Sequence, residues 1–119
     1  MAGIMLVDNV AFERITIKDI IAQSGHEVVA EVNNGDEVIR TYERIRPDFV
    51  IMDIDLPDTD GLEVLRELLN THKEAVVCVC TAMAQQAAII EAIQCGVKDF
   101  IVKPYNTERI RTSIKKFLG

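Results

Sequence analysis

Five short β-prone apolar runs recur along the chain, at Ile4 to Val7, Glu27 to Val32, Phe49 to Met52, Ala75 to Cys80 and Phe100 to Val102. Such runs read as strands. The first, third and fourth are almost wholly apolar, the pattern of strands covered on both faces by helices, whereas the second reads as a partly exposed edge. Helical patterns fill the intervals: Phe12 to Ser24 stopped by Gly25, Gly35 to Arg44 stopped before Pro47, Leu62 to His72, Gln85 to Cys95 stopped by Gly96, and Thr107 to Leu118.

A strand-then-helix unit repeated five times requires right-handed crossovers and predicts an α/β fold. At 119 residues the chain has the length of one domain with a substantial core. No Gly/Ser/Pro-rich linker divides it, so 1–119 reads as a single flavodoxin-like doubly wound (βα)5 domain with parallel strand order 2-1-3-4-5.

Composition excludes several functions. A net charge of −6 argues against direct nucleic-acid binding, which needs clustered Lys and Arg. No apolar run approaches the roughly 18 residues of a membrane span, so a soluble, cytoplasmic domain with no membrane contact is expected. Cys78, Cys80 and Cys95 lack metal-ligand spacing and read as small buried hydrophobes. His26 and His72 stand apart from them, and His72 reads as the end of a helix, where positive charge is favoured.

Doubly wound sheets bind ligands outside the carboxyl ends of their strands. The first run exits into Asp8-Asn9, the third into Asp53, the fourth into Thr81-Ala82 and the fifth into Lys103-Pro104. Carboxylates, a hydroxyl and a lysine on one rim suit a divalent cation and a phosphoryl group held together. Mg²⁺ accepts one or two carboxylates while keeping waters and phosphate oxygens, and lysine and hydroxyl groups bind the remaining phosphate oxygens. Asp53, at a strand tip before the turn Leu56-Pro57, is placed as the nucleophile that would form an acyl phosphate.

These segments, Leu-Val-Asp8-Asn9, Met-Asp53-Ile-Asp-Leu-Pro57 with Asp60-Gly61, Thr81-Ala82 and Lys103-Pro104, resemble a response-regulator receiver domain over essentially the whole chain. Val-Asp-Asn-Val-Ala-Phe and the Ala-Met-Ala-Gln-Gln after Thr81 are most similar to the stand-alone chemotaxis (CheY-like) type. The resemblance implies that Asp53 takes phosphate from a phosphohistidine of a sensor histidine kinase, with Mg²⁺ or Mn²⁺ as cofactor, and later loses it to water. Asp8, the residue at position 9, Asp53 and the backbone carbonyl of Asp55 would form the metal site, while Thr81 and Lys103 would contact the phosphoryl oxygens. Asn9 departs from the acidic residue usual in the family, so one formal charge is missing and weaker metal binding is expected, the alternative being a receiver-like domain that signals with little or no phosphorylation.

The resemblance also implies an output route to a downstream protein target or a linked output domain. Thr81 would turn toward the phosphate and couple to the aromatic residue three positions before the lysine, here Phe100. Ala87, Ile90 and Ile93 form an apolar stripe at helical spacing, leaving Ile89 off it. The expected output face is the fourth helix, fifth strand and fifth helix, including Ile89, Phe100 and Val102. Asp55 and Met83, each two positions beyond a site residue, would tune water access.

The enzymatic rival is a haloacid-dehalogenase-like phosphatase, because Asp53-Ile54-Asp55 matches its D-x-D motif. Such enzymes carry that motif on the first strand, not the third, and need a further acidic motif. A flavin-binding flavodoxin is disfavoured, since no Ser/Thr/Gly-rich phosphate loop follows the first strand.

Overall fold

The computed structural model describes residues 1–82 and 86–119. Elements alternate in the expected order: β1 (Gly3–Val7), α1 (Ala11–Gln23), β2 (Glu27–Val32), α2 (Val38–Ile45), β3 (Phe49–Asp53), α3 (Gly61–Thr71), β4 (Val77–Ala82), α4 (Gln86–Cys95), β5 (Asp99–Lys103) and α5 (Thr107–Leu118). All strand pairs are parallel, and the sheet order is β2-β1-β3-β4-β5.

Strand alternation divides the core in two. Met5, Val7, Val50, Met52, Val77 and Val79 share one cluster with Val38 and Tyr42 of α2, Leu65 and Leu68 of α3, and Ala88 and Ala92 of α4. Ile4, Leu6, Phe49, Ile51, Cys78, Cys80 and Ile101 share the other with Ile17 and Ile21 of α1 and Ile110 and Ile114 of α5. β1, β3 and β4 are therefore buried on both faces, as their unbroken apolar runs require, while edge strand β2 alternates. The three cysteines are free, Cys78 and Cys80 fully buried.

Three local readings need correction. First, α2 starts at Val38 rather than Gly35, because the preceding residues form a turn held from outside. Asn34 Oδ1 accepts from Glu37 N, and the Asp58 carboxylate accepts from the amides of Gly35 and Asp36. Second, β4 begins at Val77, two residues after Ala75, and runs through Thr81 to Ala82. Third, the expected stripe of α4 is turned outward. Ala88 and Ala92 face the core, Ala87 is exposed, and Ile90 and Ile93 are 58% and 53% exposed. Ile89, expected off the stripe, is half-buried. Two alanines one turn apart let α4 lie close to its neighbours, and the bulkier isoleucines are left outside. Met83 lies outside the described residues, as does Gln85, the residue expected to open the helix.

His72 caps the C-terminus of α3, as expected of a histidine at a helix end, with Nε2 2.9 Å from Glu43 Oε2 and Nδ1 3.3 Å from Arg46 Nη1. The opposite end of α3 controls the turn after β3. The Asp60 side chain caps the helix by accepting from Leu62 N at 3.0 Å, and Gly61 lies against the Ile54 backbone so closely that a Cβ would collide with its carbonyl. Backbone on both sides leaves little room to yield, so Gly61→Ala should destabilise the domain by about 1–3 kcal/mol. Urea unfolding should report this as a lower midpoint with an unchanged slope.

Candidate functional site

The register sets the rim. Val7 pairs with Met52, Asp53 with Cys80, Thr81 with Val102, and Ala82 with Lys103. Asp8 follows directly, its amide bonded to Val32 O at 2.9 Å. Asp8, Asp53, Thr81 and Lys103 thus stand at the carboxyl ends of four neighbouring strands.

Asp53 is 1% exposed. Its Oδ1 accepts from Asp55 N at 2.8 Å, and its Oδ2 accepts from Lys103 Nζ at 2.5 Å. Lys103 reaches back from β5, its Nζ also 3.2 Å from Glu13 Oε1 and 5.6 Å from the centre of the Tyr105 ring. Asp8 is fully buried, its Oδ1 accepting from Val10 N at 2.7 Å and its Oδ2 from the Tyr105 hydroxyl at 3.2 Å. Arg14 Nη1 donates to the Asp8 carbonyl at 2.6 Å, which ties the first helix to this strand tip.

Thr81 is also fully buried, and its hydroxyl has no hydrogen-bond partner among the described residues. An orphaned hydroxyl costs about 1–3 kcal/mol, so a ligand oxygen at this rim would relieve it. The Asp55 side chain is exposed, and its Oδ2 accepts from Ala82 N at 3.2 Å, which fastens the turn after β3 to the end of β4. Asn9 is exposed.

Among the described residues, Asp8, Glu13 and Asp53 each offer a carboxylate oxygen within 4.8 Å of the other two. Hard oxygen donors at this spacing suit Mg²⁺ or Mn²⁺, and the buried Glu13 Oε1 lacks a hydrogen bond of its own. Glu13, Arg14 and Tyr105 were not singled out by the motif pattern. Glu13 was discoverable as the acidic residue in the first turn of the helix that follows Asp8.

Burial sets the protonation of the site. It pushes the Asp8 carboxyl up to about 6; the Val10 amide opposes this, while Glu13 and Asp53 add repulsion. Burial also raises Asp53, against the Lys103 ammonium and the Asp55 amide, which favour its charged form. For Lys103 burial opposes the charge, yet the Asp53 and Glu13 carboxylates outweigh it and hold the ammonium above the usual lysine range.

Because the folded value for Asp8 lies above the ordinary 3.8, its contribution to stability is fully present below that pH and is lost as pH rises through about 6. Without divalent metal, Asp8→Asn should therefore melt above the parent at about pH 7.5, with the gap narrowing toward about pH 4.5. Thermal unfolding across that range in chelator measures it.

Residues 4–115 match the family described as the response regulator receiver domain. The chain is 45% identical over 116 residues to the chemotaxis protein CheY of Bacillus subtilis, covering 98% of this chain and 97% of that one. It is 42% identical to the CheY of Thermotoga maritima, covering 95% and 94%. Among solved structures it is similar to the REC domain of AraT, a response regulator from Geobacillus stearothermophilus, with TM-score 0.86, 27% identity and coverage of 98% and 92%. The fold also matches a chain of the CheX–CheY–BeF3–Mg complex from Borrelia burgdorferi, with TM-score 0.90, 23% identity and coverage of 99% and 90%. The chain belongs to the response regulator receiver domain family, CheY-like in sequence and fold.

Proposed function

We propose that this receiver domain takes a phosphoryl group on Asp53 from a phosphohistidine of a sensor histidine kinase, in a cytoplasmic two-component pathway of the chemotaxis type. The observation that carries the reading is the pairing of buried Asp53 with Lys103, near a buried Thr81 hydroxyl that has no hydrogen-bond partner among the described residues. An Asp53 oxygen would form the new O–P bond while the P–N bond to the kinase imidazole breaks, the bonding electrons leaving with the nitrogen. Asp53 needs no proton removed, because it attacks as a carboxylate. Lys103 screens the repulsion between two anions and moves onto a phosphoryl oxygen, and Thr81 donates to another.

Asp8, Asp53, the Asp55 carbonyl and the Asn9 amide oxygen would hold Mg²⁺ or Mn²⁺, which supplies charge neutralisation at the phosphoryl oxygens when bound. The engagement of the Asp55 carboxylate by Ala82 N leaves it poorly placed as the acid/base of a phosphatase, so the domain is read as a signalling switch rather than an enzyme with turnover. Among the described residues no helix is long and apolar enough to cross a membrane.

The proposed output surface for a downstream protein or linked domain lies between α4 and β5. Gln86, Ile89, Ile90, Phe100 and Val102 line a groove of about 540 Å³ there. Arg109 of α5 braces the base of β5, with Nη1 and Nη2 bonded to the Asp99 carboxylate at 3.0 and 2.6 Å and Nη2 also bonded to Phe100 O at 2.6 Å. Phosphate arriving at Asp53 draws Thr81 inward, and half-buried Phe100 fills the space it leaves. The curated chemotaxis relatives, matched over nearly their whole length, support this class of output.

Incubation with acetyl phosphate and Mg²⁺ should add one phosphoryl group per chain by intact mass. Asp53→Asn should abolish it, and Lys103→Ala should slow it by about 10² or more, the scale of losing one charged transition-state contact. Unchanged labelling of Asp53→Asn, or repeated release of phosphate from small phosphoesters, would overturn the reading.

A further inference from the structure

Resting on the phosphoacceptor reading, we infer that Glu13 is a direct ligand of the divalent cation and supplies the carboxylate that position 9 lacks. Asn9 leaves the Asp8-Asn9 pair one negative charge short, and its side chain is exposed. Glu13 sits in the first turn of α1, whose start at Ala11 brings it back over the strand tips. Its carboxylate joins those of Asp8 and Asp53 with ligand oxygens within 4.8 Å of one another. Opposite ligands of one octahedral Mg²⁺ lie about 4 Å apart, so small side-chain rotations complete the set.

Two buried oxygens here make no hydrogen bond among the described residues, although Glu13 Oε1 is ion-paired with Lys103. Glu13 Oε1 is buried 3.2 Å from Lys103 Nζ, yet outside hydrogen-bonding geometry, and the fully buried Thr81 hydroxyl is unpartnered among the described residues. The ammonium of Lys103 lies between Glu13 and Asp53, contacting both, where a cation is electrostatically favoured. Glu13 and Asp53 engaged by a cation would leave the same ammonium free to turn toward the phosphoryl oxygens. Glu13 therefore has two partners in sequence, Lys103 in the free domain and the metal in the loaded one. The bland alternative is that Glu13 does no more than pair with Lys103.

Mg²⁺ titrations followed by backbone amide shifts at Asp53 and Asp55 separate these roles. Glu13→Gln keeps the shape and removes the charge, and should weaken binding by about tenfold or more. Asn9→Asp placed in the Glu13→Gln background should restore most of it. In protein labelled with ¹³C-glutamate, Mg²⁺ should shift one side-chain carboxyl resonance, the one missing from Glu13→Gln. Equal or tighter binding by Glu13→Gln, or no shifted glutamate carboxyl, would overturn the assignment. Acetyl-phosphate labelling of the same samples keeps the two readings apart. A parent labelled at Asp53 whose affinity ignores Glu13 overturns the ligand assignment alone, whereas a parent that neither binds Mg²⁺ nor takes phosphate overturns both.

Discussion

The short bond between Lys103 Nζ and Asp53 Oδ2 joins the tips of β3 and β5 across the intervening strand β4. Two buried carboxylates, Asp8 and Asp53, share this rim, and burial raises both away from their ionised forms. Without an internal cation the pocket would hold uncompensated negative charge, an arrangement that costs several kcal/mol per ion. Lys103 supplies that cation. Its charge is secured in turn by Asp53 and Glu13, so the ammonium and the acidic pocket maintain each other.

Lys103 and the Asp55 amide favour the charged form of Asp53 against its burial. The Asp55 amide fixes one oxygen and the lysine the other, so the carboxylate is oriented at the strand tip while both partners remain displaceable. The Asp8 carboxylate is similarly fixed by Val10 N and the Tyr105 hydroxyl. Local electrostatics set against stability, which a cation and a phosphoryl group would relieve on the proposed reading, is the expected character of a functional site rather than of a structural ion pair.

Most of the frame was legible because its signals are local and mutually consistent. An unbroken run such as Phe49 to Met52 has one comfortable place, the interior of a parallel sheet, and the residue after it must reach the rim. Asp8, Asp53, Thr81 and Lys103 inherit their positions from that rule alone. Glu13 does not. Its approach depends on where α1 begins and how the helix sits over β1, which no strand-end rule encodes. Counting only residues adjacent to strand tips leaves position 9 one charge short, and it passes over Glu13, whose carboxylate lies with those of Asp8 and Asp53 in the folded pocket. The outward turn of α4 was hidden for a different reason. The segment from Gln86 to Cys95 carries two overlapping apolar stripes, one through Ala88 and Ala92 and one through Ile90 and Ile93, and hydropathy favours the wrong one.

That reversal bears on how a signal would leave the site. Helix α3 is anchored by buried Val64, Leu65, Leu68 and Leu69, each contributing on the order of 1.5–3 kcal/mol, whereas the residues buried from α4 are Ala88 and Ala92. Alanine removes far less apolar surface from water, so α4 is held to the domain by much less burial energy than its neighbour. An element with few buried apolar anchors is cheap to displace, and elements that move in switching come from this weakly held end of the structure. Thr81 lies in the strand that leads to α4, and Phe100 and Val102 of β5 line the groove beside it. On the proposed reading, a shift of Thr81 toward a phosphoryl group on Asp53 would act on the helix that resists least, and its exposed isoleucines would carry the change to the surface.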